Sequence, residues 1–311
     1  MKQHKKTLLI FLILNCCIAL VATGQTSIET SSFDRSNSIL RELLDPSSSK
    51  VFIAAHRGGY ENDVKDKAPE NSFVNIKNCQ SKGYEIFETD IQRTKDGHFV
   101  MVHDQTIRRE TSGEGTVSDM TLLELKSLHK RCRDRSLSRV RVATLPEFLD
   151  GGKGRTVFKA DMKRGVSTHF AELMKLVTVH DALDGIIFRV PYREVDLYQK
   201  FREQGVVLAK HTLMFQVSSR AQIDDIKARF NSSTIEIELD EADPASEAAI
   251  DLIRYAADEG FVVETHADGE EDDWVKLIKA GVRIFHTKAP LKLKKMLGNS
   301  KSAATVRPIK C

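Results

Sequence analysis

An eight-stranded α/β barrel is the fold this sequence predicts, and three observations carry the prediction. Short apolar runs rich in β-branched and aromatic residues recur along the chain with helical patterns between them, an alternation that implies parallel strands joined by crossovers. Residues 50–297 are long enough to form one such barrel as a single unit. Charged residues also gather at the carboxyl ends of several runs, where a barrel assembles its site.

Residues 1–24 carry Lys2, Lys5 and Lys6 ahead of the apolar stretches Leu8–Leu14 and Ile18–Ala22, and end in Ala22-Thr23-Gly24. This pattern reads as a cleaved secretory signal, so a secreted or periplasmic protein is expected. A lipid anchor on Cys16 or Cys17 is the lesser alternative. Cleavage leaves no apolar run long enough to span a bilayer. It also removes three lysines and no acids, leaving 44 basic and 44 acidic residues. Without a basic surplus, nothing argues for a nucleic-acid partner. The cysteines Cys79, Cys132 and Cys311 follow no metal-type spacing, so at most one disulfide is expected.

Residues 25–49 are serine-rich and contain Pro46, with one weak amphipathic stretch at Ile39–Leu44. They read as a linker. The strand candidates are Val51–Ala55, Glu85–Ile91, Phe99–His103, Thr156–Met162, Gly185–Val190, Thr212–Val217, Thr234–Leu239, Phe261–Thr265 and Val282–His286. That is one more than a barrel needs. The tight Lys95-Asp96-Gly97 turn supplies a hairpin, which cannot join adjacent parallel strands, so one of its arms is expected outside the barrel. Helical spacing is clear at Glu70–Lys82, stopping at Gly83, at Thr121–Leu128, and at Trp274–Ala280, closing at Gly281. Residues 298–311 read as a polar tail.

Side chains two apart on a strand share a face. Phe87, Thr89, Ile91, Phe158, Ala160 and Met162 suit the outward face, so Glu88 and Asp90, and likewise Asp161 and Lys163, are expected to point at the barrel axis. Three carboxylates crowded in a low-dielectric interior are costly without a cation. Oxygen donors favour a hard ion, calcium or magnesium. His56, Arg57 and His103 end neighbouring runs. Together these groups are the equipment for metal-assisted phosphodiester chemistry, with imidazoles to move protons and cations to hold phosphate. Glu236, Glu238 and Asp240 also alternate with apolar residues, and an internal pairing of this strand with Lys159 is expected.

The residues that carry this chemistry stand in recognisable motifs: Ala55-His-Arg-Gly58, Ala68-Pro-Glu-Asn-Ser72, Glu88-Thr-Asp90, Thr94-Lys-Asp-Gly97, Val102-His-Asp104, Gly113-Glu-Gly-Thr-Val-Ser-Asp119, Leu145-Pro-Glu147 and Asp161-Met-Lys163. In order and spacing this stretch resembles the glycerophosphodiester phosphodiesterases. The likeness thins after Lys163 and returns at Gly281-Val282 and Thr287-Lys-Ala-Pro290. It implies a TIM barrel of the PLC-like phosphodiesterase type that cleaves a small-molecule glycerophosphodiester to an alcohol and glycerol 3-phosphate. His56 and His103 would then be the acid/base pair, Arg57 and Lys163 the phosphate ligands, and Glu88, Asp90 and Asp161 the holders of one divalent cation, Ca2+ or Mg2+.

Several alternatives stay open at this point. Arg57 could pair with Glu70, and Glu70 and Asn71 could either cap the following helix or support the site from behind. A neighbouring substrate hydroxyl could attack first and give a cyclic phosphate, and a secreted barrel could bind a phosphorylated polyol without turnover. The chain departs from the family pattern at Val263-Glu264-Thr265-His266-Ala267, where an aromatic residue and an asparagine are usual. Lys288 and Asp161 also stand where the family usually has aspartate and glutamate. Opposite charge suggests a Glu264–Lys288 pair. The oligomeric state and the head-group alcohol are not legible.

Overall fold

The computed structural model describes residues 34–59, 68–268 and 270–299. The expected signal segment, Cys16, Cys17 and residues 300–311 with Cys311 lie outside the described residues. The strands, in chain order, are β1 (Phe52–Ala55), β2 (Ile86–Arg93), β3 (Phe99–Met101), β4 (His129–Arg131), β5 (Leu137–Arg141) and β6 (Val157–Met162). They continue as β7 (Ile186–Pro191), β8 (Leu213–Val217), β9 (Thr234–Ile237), β10 (Val262–His266) and β11 (Val282–Thr287). Hydrogen bonding runs β1-β11-β10-β9-β8-β7-β6-β2, and β1 also pairs with β2. Eight parallel strands therefore close on themselves as a TIM barrel.

β3 pairs antiparallel with β2 and lies outside the closed ring, as the Lys95-Asp96-Gly97 hairpin requires. A second hairpin, β4–β5, has no counterpart among the expected strands. Its exposure alternates residue by residue from Leu137 to Arg141, and its arginines and lysine mask the period in the sequence.

Strand alternation sorts the interior into two layers. Near the amino ends Phe52, Ala54, Ile86, Val157, Ile187, Met214, Val262 and Ile284 form one apolar cluster. Two residues further along the same strands stand Glu88, Lys159, Arg189, Glu264 and His286. The outward face is continuous with the helix layer, where Phe87, Phe158, Phe188, Phe215 and Phe285 pack into the main core. Phe87 meets Phe148 edge-on at 5.6 Å between ring centroids, a favoured aromatic geometry.

The linker expectation is corrected over part of its length. Residues Arg35–Leu44 form a helix, and its Ile39, Leu40 and Leu43 join the apolar layer at the barrel floor. Burial of such side chains contributes roughly 2 kcal/mol each, which offsets part of the entropy lost on ordering the helix. Arg283 secures this plug. Its buried guanidinium donates to the carbonyls of Glu42 (2.9 Å), Leu43 (3.0 Å), Asp45 (3.1 Å) and Lys50 (3.3 Å). These include carbonyls that the helix end leaves without internal partners. Arg283→Leu is expected to lower stability by about 3 kcal/mol in urea unfolding; a loss within experimental error would show the plug to be held by its apolar residues alone.

Among the described residues no helix is long and apolar enough to cross a membrane. Cys79 and Cys132 are both free and buried, and burial pushes the Cys79 thiol up to about 12.

Candidate active site

The mouth of the barrel collects the charged residues because each sits at the carboxyl end of a strand or one turn beyond it. His56 opens a short 3-10 turn directly after β1. Arg57 within it has φ 46°, a left-handed conformation that is uncommon for a residue with a side chain. Gly58 follows at φ 83°, and a Cβ there would lie 2.5 Å from the Phe87 ring. The turn thus needs a glycine for both space and backbone, and it delivers the Arg57 amide to Glu88 Oε2 at 2.8 Å.

Glu88 and Asp90 face the interior as the alternation of β2 requires, and both are buried. Asn71, also in a left-handed conformation at φ 49°, donates its side-chain amide to Asp90 Oδ2 at 2.8 Å. Its carbonyl accepts from Thr89 Oγ1 at 2.8 Å and from the Asp90 amide at 3.3 Å. Asn71 therefore orients Asp90 rather than capping the helix. Ser72 holds the cap position instead.

Asp161 lies level with Asp90 across the β2–β6 pairing. The Lys163 ammonium bridges the two carboxylates at 2.7 Å from each. Arg189, not foreseen from sequence, adds a contact to Asp161 at 3.6 Å and donates to Glu236 at 2.7 Å. Burial opposes the charge of Asp161, but Lys163 and Arg189 outweigh it and hold the carboxyl at about 2. Asp90 is shifted the other way, raised by its burial and by the neighbouring Glu88. The sequence-expected carboxylates thus share one mouth, yet Asp90 and Asp161 converge on Lys163.

Arg57 pairs with Glu70, Nη1 to Oε2 at 2.8 Å, and approaches Asp90 at 3.6 Å. Arg109 reaches the other Glu70 oxygen at 2.6 Å and also donates to Asp104. Despite burial, these two guanidiniums keep Glu70 well below the usual carboxylate range. Glu70 is therefore the joint between Arg57 and the support of His103.

That support defines the state of the second histidine. His103 Nδ1 stands 2.7 Å from Asp104 Oδ1. Although partial burial resists it, hydrogen bonds from Arg109 and His103 lower the Asp104 pKa, so the carboxylate can only accept. The hydrogen bond therefore runs from the His103 Nδ1–H to the Asp104 carboxylate. The backbone amides of His103 and Asp104 both donate to Glu110 Oε1, at 3.0 and 2.8 Å. His103 follows β3, outside the ring, and the hairpin folds it back close enough to act on the charge of Asp90.

The far wall holds a histidine that the sequence motifs do not single out. His286, near the end of β11, has its ring 5.3 Å from that of His56 and stacks on His266 at 4.5 Å. The same strand-end rule that marks His56 applies to it. Burial holds His56 at about 4, against the pull of Glu88, and burial puts His286 well below its ordinary value. Deeper in, Lys159 pairs with Glu236 at 2.9 Å, as expected, and with Glu264. The expected Glu264–Lys288 pair is not formed. Glu264 faces inward beside Glu236, whereas Lys288 lies beyond β11 and pairs with Asp268 at 3.0 Å. Glu238 and Asp240 are exposed because β9 ends at Ile237. The rim near His266 opens into a cavity of about 340 Å³ whose lining includes Asp240, Glu241, His266, Asp268 and Lys288. Leu239, Pro244 and Ala267 complete the lining beside these charged groups.

Residues 56–292 match the model of the glycerophosphoryl diester phosphodiesterase family. The chain belongs to that family. A glycerophosphodiester phosphodiesterase of Caldanaerobacter subterraneus subsp. tengcongensis is 44% identical over 79 residues, covering 25% of this chain and 30% of the relative. A bovine glycerophosphodiester phosphodiesterase 1 is 28% identical over 198 residues, 59% of this chain and 54% of the relative. The chain thus spans about half or less of these curated relatives. A glycerophosphoryl diester phosphodiesterase structure from Parabacteroides distasonis superposes with a TM-score of 0.68 at 19% identity, covering 88% of this chain and 97% of the other. An Oleispira antarctica phosphodiesterase in complex with the product sn-glycerol-3-phosphate superposes at 0.62 with 18% identity, over 80% and 97%. Both likenesses concern the fold.

Proposed function

We propose that this member of the family hydrolyses glycerophosphodiesters to an alcohol and glycerol 3-phosphate, with His56 and His103 moving the protons. The observation that carries the reading is the His103–Asp104 pair at 2.7 Å, placed at one mouth with the His56 turn and a lysine held by two carboxylates. Asp104 holds the His103 ring in one orientation, which is what an acid/base group needs and a binding pocket does not. One imidazole takes the proton of the attacking water, and the other gives a proton to the leaving alcohol oxygen.

Arg57 and Lys163 are the groups for the non-bridging phosphate oxygens. Glu70 holds the first guanidinium in place, and Asp90 with Asp161 holds the ammonium. A fork of donors and a point charge at fixed positions favour the transition state, where charge on those oxygens is greatest.

Glu88, Asp90 and Asp161 are the groups suited to a hard divalent cation, calcium or magnesium. The donor set is all oxygen, and Asp90 is raised by its burial and by the neighbouring Glu88, so added positive charge is accommodated there. Such a cation, when bound, supplies charge stabilisation for a phosphoryl oxygen.

The test is hydrolysis of glycerophosphocholine followed by phosphorus NMR, with calcium or magnesium and then with chelator. Direct appearance of glycerol 3-phosphate, lost on chelation, is expected. A transient cyclic phosphate would instead identify attack by the neighbouring hydroxyl, and no turnover of any diester would overturn the enzymatic reading.

A further inference from the structure

Three barrel neighbours bring a second donor set together. β1 pairs with β2 on one side and β11 on the other, so His56 after β1, Glu88 on β2 and His286 on β11 come together inside the barrel mouth. One ligand atom from each lies within 4.8 Å of the other two, and all three residues are buried. His286 Nε2 stands 3.3 Å from Glu88 Oε2, yet this buried nitrogen makes no hydrogen bond. The carboxylate is fixed from behind by the Arg57 amide at 2.8 Å. The imidazole is fixed by stacking on His266, with 22° between the planes.

Two imidazoles and one carboxylate do not suit calcium or magnesium, which take oxygen ligands. They match a borderline transition ion, and the same set with one open position recurs in zinc sites. Ligands about 2.0–2.1 Å from a tetrahedral zinc stand about 3.3–3.4 Å apart. The His286–Glu88 separation already has that value.

We propose that His56, Glu88 and His286 form a site for a borderline divalent transition ion, of which zinc is the type. It is separate in kind from the all-oxygen set and shares only Glu88 with it. A consequence rests on the hydrolytic reading: an ion held here engages the lone pair of His56 and so competes with proton transfer. The site would make zinc an inhibitor of the proposed reaction.

The experiment is calorimetric titration of the full chain, freed of metal, with Co2+ and Zn2+, together with the visible absorption of the cobalt form. One Co2+ per chain in a low-symmetry site is expected. Losing even an outer-shell partner typically costs about 10–100-fold in metal affinity, so His286→Leu should weaken Co2+ binding at least about tenfold. Ca2+ binding, measured alongside, should change little. Thermal unfolding of the metal-free variants checks that each is folded, and His286→Gln gives the same readout should the leucine variant fail. Equal Co2+ affinity in wild type and the folded variants, or no Co2+ binding, would overturn the site. Hydrolysis unaffected by Zn2+ while Co2+ and Zn2+ bind would overturn the inhibition alone. Absence of hydrolysis under every metal condition would count against the proposed activity and leave the binding result standing.

Discussion

Alanine in place of either His56 or His103 is expected to lower the turnover of glycerophosphocholine by about a hundredfold or more. Each removes a proposed proton carrier. His56 is buried in the turn after β1, with its ring lodged against His286. His103 is half-buried and backed by Asp104, so the truncation also leaves that carboxylate with Arg109 as its main partner. The two losses should not add, because both groups serve one displacement. A double variant no slower than the worse single variant is therefore part of the expected result. The readout must separate chemistry from binding: kcat should fall while KM changes little, since the proposed phosphate ligands, Arg57 and Lys163, are left in place. Unchanged kcat in both single variants would remove the proposed mechanism.

The second large effect concerns stability. Lys159 is buried at the axis between Glu236 and Glu264. Burial resists its charge, but the two glutamates raise its pKa further, so it is an ammonium in the folded protein. Lys159→Met leaves two buried carboxylates adjacent on paired strands with only Arg189 to answer them. Breaking a buried pair in this way typically costs about 3–5 kcal/mol, a large share of a protein's net stability. Urea unfolding with an unchanged slope should show it as a drop in midpoint. Burial already pushes Glu264 up to about 7, against the charge of Lys159, so Glu264→Gln in the Lys159→Met background should recover part of the loss. A single variant within about 1 kcal/mol of wild type would mean that water reaches this network.

The second prediction involves side chains placed by strand alternation, which is legible in the order of residues alone. Along β2 and β6 it sets Glu88, Asp90, Lys159, Asp161 and Lys163 on the axis, because the outward face of a barrel strand must be apolar. Lys159 and Glu236 can be matched for the same reason. Residue type does not say which second acid shares that lysine. Charge alone points Glu264 to Lys288, whereas strand register sets it beside Glu236 and leaves Lys288 at the rim with Asp268.

The Arg35–Leu44 helix shows the same limit from the packing side. Its periodicity is short and the surrounding composition serine-rich, so local preference reads as a linker. Its order comes from covering an apolar barrel floor built from strands that follow it in the chain, and from Arg283, more than two hundred residues away. Such energy is invisible to any local window.

Strand period and turn chemistry are local properties, so the order of residues is enough to specify the barrel, its hairpin excursion and the acids, bases and cations at the strand ends. Closure of the ring decides the rest. Joining β11 to β1 brings His286 against His56 and Glu88, and setting β6 beside β2 places Lys163 between Asp90 and Asp161. These partners are chosen by register across the barrel, a long-range geometry that residue type and spacing do not encode.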